Sequence, residues 1–100
     1  MSFHVVPDPQ VSLAISSLSG NLQDFYKTQI LPPLARNPYP SPDNPLIEVR
    51  TAKDGSPYYQ YYDGIVPLVI QYFIRPLPDD PGAGVVFLFR ALPKDGVTKL

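Results

Sequence analysis

Fourteen of the 100 residues are proline, and no other residue type narrows a chain's options as much. Proline lacks a backbone donor, clashes with the preceding helical turn, and enters sheets only at edges, ends and bulges. The prolines gather mainly in four places: Pro7 and Pro9, Pro32 and Pro33, the segment 38–45, and the segment 76–81. Regular elements must run between these groups, so the prolines punctuate the fold and do not form a disordered tract. With 44% hydrophobic and 17% charged residues, the chain reads as one domain spanning 1–100. A chain of that length buries roughly 60–70% of its unfolded surface in a single core.

Between the punctuation marks the periodicities are clear. Residues 3–6 form a short apolar run that suits a strand. Asp8 followed by Pro9 is an N-cap with proline at the first helical position. Val11, Ala14, Ile15 and Leu18 then recur at helical spacing, with Gly20 as the expected stop. Asn21 is the expected cap of a second helix, Asp24 lies in its first turn, and Leu22, Phe25, Tyr26 and Ile30 make its apolar stripe. Pro32 and Pro33 should end or kink it, leaving Leu34 and Ala35 as an extra turn.

The grammar changes from residue 37. The segment 37–45 reads as an extended linker. Residues 46–51 alternate, with Ile47, Val49 and Thr51 on one face and Glu48 and Arg50 on the other. Asp54-Gly55 is a hairpin signal leading to a strand over 58–62, and Asp63-Gly64 leads to a third strand over 66–75. That strand is apolar on both faces, which places Pro67 at its start or at a bulge. A loop over 76–84 and a last strand over 85–92 complete the reading. The expected fold is α+β: a short N-terminal strand, two consecutive helices, then an antiparallel sheet of three to four strands.

Composition excludes several chemistries. The chain has no cysteine and one histidine, His4, which removes thiolate sites and two-histidine metal motifs; no metal or cofactor is expected. Net charge is −1, so no overall basic field announces nucleic acid. The apolar run 65–74 is too short to span a bilayer, and the N-terminus lacks a signal-peptide pattern. The expected setting is cytoplasmic, away from membranes.

Position matters more than total charge. Six of the aspartates fall in turns, whereas Arg50, Arg75 and Arg90 fall on or at the ends of strands, so one sheet face is expected to be locally basic. Around Gln60, alternation sets Tyr58 and Tyr62 against Tyr59 and Tyr61; one pair packs on the helices and the other is exposed. Exposed tyrosines beside arginines stack bases or build a protein interface. His4 reads as a strand residue without a carboxylate or nucleophile near it. Gly82-Ala83-Gly84 opens a strand and not a helix, so the dipole argument for a phosphate loop fails.

The element order, the helical hairpin carrying Leu22, Phe25 and Tyr26, the linker at Asn37-Pro38-Tyr39-Pro40 and a final strand Val85-Val86-Phe87-Leu88-Phe89-Arg90 resemble the RelE/ParE superfamily of toxins from type II toxin–antitoxin pairs. The resemblance covers most of the chain. It implies a toxin or toxin-derived domain with a small antitoxin-like partner, acting on messenger RNA at the ribosome or on DNA gyrase. In ribosome-dependent members, basic and aromatic residues of the concave sheet face hold RNA while a 2′-hydroxyl attacks the next phosphate. Carried onto this chain, Arg90, Arg50 and Arg75 are the candidate catalytic residues and Tyr59 and Tyr61 the candidate base-stacking residues. From the residues alone, a non-enzymatic module that dimerises or docks a partner through its sheet is the alternative.

Overall fold

A computed structural model describes residues 3–42 and 44–96. The elements are β1 (Phe3–Pro7), α1 (Pro9–Ser16), α2 (Gly20–Phe25), a π-helical segment (Tyr26–Ile30), α3 (Leu31–Arg36), β2 (Ile47–Thr51), β3 (Pro57–Tyr61), β4 (Val69–Leu77), β5 (Asp80–Leu92) and a 3₁₀ turn (Lys94–Gly96). The fold is α+β, as the sequence suggests. One five-stranded sheet runs in the order β1-β5-β4-β3-β2. The later strands pair antiparallel, while β1 joins β5 in parallel, the orientation that the intervening helical crossover permits.

The helix ends follow hydrogen-bond chemistry more closely than composition. Asp8 caps α1, its carboxylate accepting the Gln10 N–H at 2.9 Å. Gly20 does not stop α1; Ser17 is its C-cap, and Gly20 opens α2. The cap of α2 is Ser19 and not Asn21, because the Ser19 hydroxyl reaches the Leu22 N–H at 3.4 Å. Nor do Pro32 and Pro33 end the second helix. They occupy the first positions of α3, and the preceding turn widens so that the Leu31 N–H bonds to the Tyr26 carbonyl, five residues back. The wider turn absorbs the two donors that proline lacks.

Two strand boundaries differ from the sequence pattern for equally local reasons. β4 begins at Val69 and not at residue 66, because the Asp63 carboxylate accepts the N–H groups of Ile65 and Val66 at 2.8 and 3.1 Å and holds them in a turn. The expected loop over 76–84 is largely strand: β4 runs to Leu77 and β5 starts at Asp80, with residues 81–83 left out of the ladder between the Leu77–Asp80 and Pro76–Gly84 pairs. β3 pairs only with residues 70–72 of β4. Beyond them, among the described residues, β4 has a free edge, where proline's missing donor is tolerated.

The helices between β1 and β2 pack on one face. Val11, Ile15, Tyr26, Ile30 and Leu34 meet Phe3, Ile47, Ile70, Tyr72, Val86 and Leu88 in a single buried cluster. Two polar clamps fix this layer. Gln10 donates to the Ala91 carbonyl at 2.8 Å and accepts from the Ala91 N–H at 2.9 Å, substituting for β1 just past the 84–88 stretch that β1 pairs. The Tyr72 hydroxyl, fully buried, donates to the Pro38 carbonyl at 2.7 Å and ties the proline-rich linker to the core. No helix among the described residues is long and apolar enough to cross a membrane.

Candidate functional site

The other sheet face carries none of α1–α3; the 3₁₀ turn that follows β5 sets the Lys94 Nζ 5.2 Å from the Tyr62 ring. Strand alternation and register define what it displays. Row by row, Glu48 of β2 stands opposite Gln60 of β3, then Gln71 of β4 and Arg90 of β5. In the next row Arg50 stands opposite Tyr58, and Phe73 opposite Phe87. In the third, Arg75 faces Val85, which pairs with His4 of β1. Arg50, Arg75 and Arg90 thus share one face.

Arg90 reaches this face through an irregularity. Strict alternation from Val86 and Leu88 would turn it toward the helices. The register shifts by one residue between the Gln71–Arg90 and Tyr72–Leu88 pairs, leaving Phe89 as the extra residue of a β-bulge. The bulge returns Ala91 to the core and leaves Phe89 and Arg90 together on the uncovered face. There the Arg90 Nε donates to the Gln71 Oε1 at 2.6 Å, and the Gln71 Nε2 donates to the Gln60 Oε1 at 3.0 Å. Gln71 is 1% exposed. Because arginine only donates, it fixes which end of each amide faces which neighbour. Beside this polar row lies an aromatic cluster: Phe73 stacks on Phe89 at 4.4 Å, and buried Tyr58 meets Phe89 edge-on at 6.0 Å.

The three arginines do not converge. With strands about 4.8 Å apart and residues about 3.3 Å apart along them, the register sets their Cα atoms roughly 12–16 Å from one another. Arg50 is also paired with Glu48 at 3.3 Å, a half-exposed contact that contributes little to stability. His4 is exposed and two strands from Arg75, about 10 Å.

Tyr59 and Tyr61 are not on this face; Tyr58 takes it instead. Tyr59 stacks on Tyr72 at 5.6 Å and meets Tyr39 edge-on, packed against the core. Burial, with Tyr39 nearby, raises its pKa. Tyr61 lines a cleft of about 340 Å³ between α3 and β2, with Ile30, Leu34, Asn44, Leu46 and Ile47. Its hydroxyl donates to Asp63 at 2.7 Å, and burial followed by that bond pushes its pKa well above the usual range. Both phenols stay protonated near neutrality and offer no general base. Gly82-Ala83-Gly84 forms no phosphate loop: Ala83 and Gly84 line an open hollow of about 320 Å³ with Phe3, His4, Leu77 and Val85, and the backbone of Arg75 and Pro76 in β4 lies close against Gly84. The bulge and the Gln71–Gln60 contact were the features sequence reading missed; the only trace is a polar Gln71 inside an apolar strand. Among the described residues no three His, Asp or Glu side chains cluster to hold a metal.

No family model matches the chain, and neither a curated protein nor a solved structure matches it.

Proposed function

We propose that this chain is a RelE/ParE-like, toxin-type domain that works by binding, with the uncovered sheet face as its contact surface and a single-stranded RNA as its ligand. The observation that carries this reading is the set Arg50, Arg75 and Arg90 on one uncovered face, spread about an aromatic cluster. Guanidinium groups recognise phosphates, and aromatic faces accept bases without sequence preference. A local excess of arginine supports binding even at a net charge of −1, since only charges within ~8–10 Å of the ligand act strongly at physiological salt.

Cleavage by this face is not part of the proposal. Attack by a 2′-hydroxyl is fast when a general acid and base flank the phosphate, and the residues around Arg90 are glutamines and phenylalanines. The family resemblance adds a small antitoxin-like partner and a cytoplasmic setting to the proposal. The apolar share of the face, Phe73, Phe89 and the more exposed Val85, favours a second reading, a non-enzymatic module that dimerises or docks a partner protein through its sheet.

Fluorescence anisotropy with labelled single-stranded RNA, run over a salt series, separates the two. For RNA, affinity falls steeply with salt, and Arg50→Ala, Arg75→Ala and Arg90→Ala each remove about one phosphate contact, lowering the slope by ~0.7. Absent or salt-independent binding overturns the RNA reading and leaves the protein-docking one. A ribosome-dependent cleavage assay is expected to stay at background; cleavage that disappears in Arg90→Ala would instead establish a nuclease.

A further inference from the structure

β2 ends the sheet, and its outer edge is unpaired among the described residues. Which backbone groups it offers follows from its pairing with β3. The Leu46 carbonyl accepts from the Tyr62 N–H and the Ala52 N–H donates to the Ser56 carbonyl, so the even-numbered residues of β2 bond inward. The N–H and C=O groups of Val49 and Thr51 therefore point outward, while the Ile47 N–H is taken by the Asn44 carbonyl at 3.2 Å. On the uncovered face this edge carries Glu48 and Arg50; on the other, Val49 is 54% exposed because the helices pack over β5 and β1 and do not reach it.

We infer that β2 is a self-complementary edge that joins two copies of this chain into one continuous sheet about a two-fold axis. The register follows from two independent conditions. Hydrogen bonding requires outward-pointing residues to face one another, which admits only registers pairing odd-numbered residues with odd. Charge then selects among these. Centring the pair on Val49 sets Val49 against Val49, Glu48 against Arg50 and Arg50 against Glu48. Sliding by two residues one way sets Glu48 against Glu48, and the other way Arg50 against Arg50. Opposed residues at these non-hydrogen-bonded positions lie close, about 4.5 Å between Cα atoms, so sign matters there. Edge charges of one sign normally prevent such pairing; here the alternation of sign admits one register and rejects its neighbours. The two-fold is isologous and closes at the dimer. It brings the uncovered faces of both copies to the same side of the sheet, whatever ligand that face takes.

A five-residue edge buries little area, so the dimer is weak and assembles toward millimolar concentration, as interfaces below ~1,200 Å² do. Sedimentation equilibrium is the assay. Glu48→Arg and Arg50→Glu, each alone, place like charges at both symmetric contacts and are expected to weaken self-association at least about tenfold. Mixed in equal amounts, these two variants restore complementarity at both contacts and form a heterodimer of wild-type affinity, which also shows that each is folded. In the wild type, the amide resonances of Val49 and Thr51 shift with protein concentration while that of Arg50 stays bonded to β3. A wild type monomeric to millimolar, association indifferent to either swap, folded variants that do not pair when mixed, or edge amides insensitive to concentration would each overturn the inference.

Discussion

Replacing Gly84 by alanine tests how the sheet is built more directly than any other single change. Gly84 has φ of 147°, a region that side chains rarely enter, and a Cβ there would sit 2.2 Å from the Arg75 carbonyl oxygen and 2.8 Å from the Pro76 Cα. Ordinary contact is ~3.5 Å, and both obstacles are backbone, so no side chain can swing aside. The strained φ contributes ~1–3 kcal/mol and the forced separation of β4 from β5 another ~1–3 kcal/mol. A loss of about 3–5 kcal/mol is expected against a total of ~5–15 kcal/mol for a domain of this kind. In urea, with a slope of ~1–2 kcal/mol/M, the midpoint falls by ~2–3 M, read by far-ultraviolet circular dichroism. Gly82→Ala is the matched control: its Cβ would meet nothing nearer than the Asp80 carboxylate at 3.4 Å, with no positive φ, so its midpoint moves by less than ~0.5 M, as for surface changes within ±0.5 kcal/mol. A Gly84→Ala protein within ~1 kcal/mol of wild type would refute the close β4–β5 approach and the reasoning built on it.

Tyr72→Phe keeps the buried ring but strands the Pro38 carbonyl, so stability falls by ~1–3 kcal/mol, measurable as a lower melting temperature. Burial pushes the Tyr26 pKa from 10.0 up to about 12; the folded-state pKa is the higher one, so its contribution is intact below pH ~10 and lost as pH rises toward ~12, about 2–3 kcal/mol in all. Denaturant titrations across that window should show a shallower decline in Tyr26→Phe than in wild type; equal slopes would count against it. Gln71→Leu removes the acceptor of the Arg90 Nε. It is expected to lower stability by ~1–3 kcal/mol and to speed exchange of the Arg90 Nε proton in nuclear magnetic resonance spectra.

Much of the fold was legible because its determinants are local. Asp8 before Pro9, the helical spacing of Val11 and Ile15, and the two Asp-Gly turns each act within a few residues, and the structure follows them. Where the reading failed, a competing local partner decided the outcome. Ser19 took the cap expected of Asn21, and the Asp63 carboxylate held residues 65 and 66 out of β4. Pro32 and Pro33 were accommodated by widening the turn before them, a solution available because the stripe around Ile30 and Leu34 still reaches the core.

The functional face was harder to read, because alternation divides a strand into two faces without saying which one is covered. In β3 it separated Tyr58 from Tyr59 and Tyr61 correctly, yet the choice between them rests on β4. Ile70 and Tyr72 enter the helix-facing core, and Tyr59 pairs with Tyr72, so Tyr59 and Tyr61 must follow them inward. The arginines reached a common face by two routes. Arg50 and Arg75 do so by simple alternation from Ile47 and Tyr72. Arg90 does so only because one extra residue at Phe89 reverses the phase of β5 after Leu88. Without that bulge, Arg90 would enter the apolar layer under α1, where an unpaired guanidinium is strongly unfavourable, and Ala91 would leave the core. Burial of Ala91 in the core and the Arg90–Gln71 hydrogen bond on the opposite face are thus satisfied together by one inserted residue, a coincidence of requirements that no periodicity in the sequence expresses.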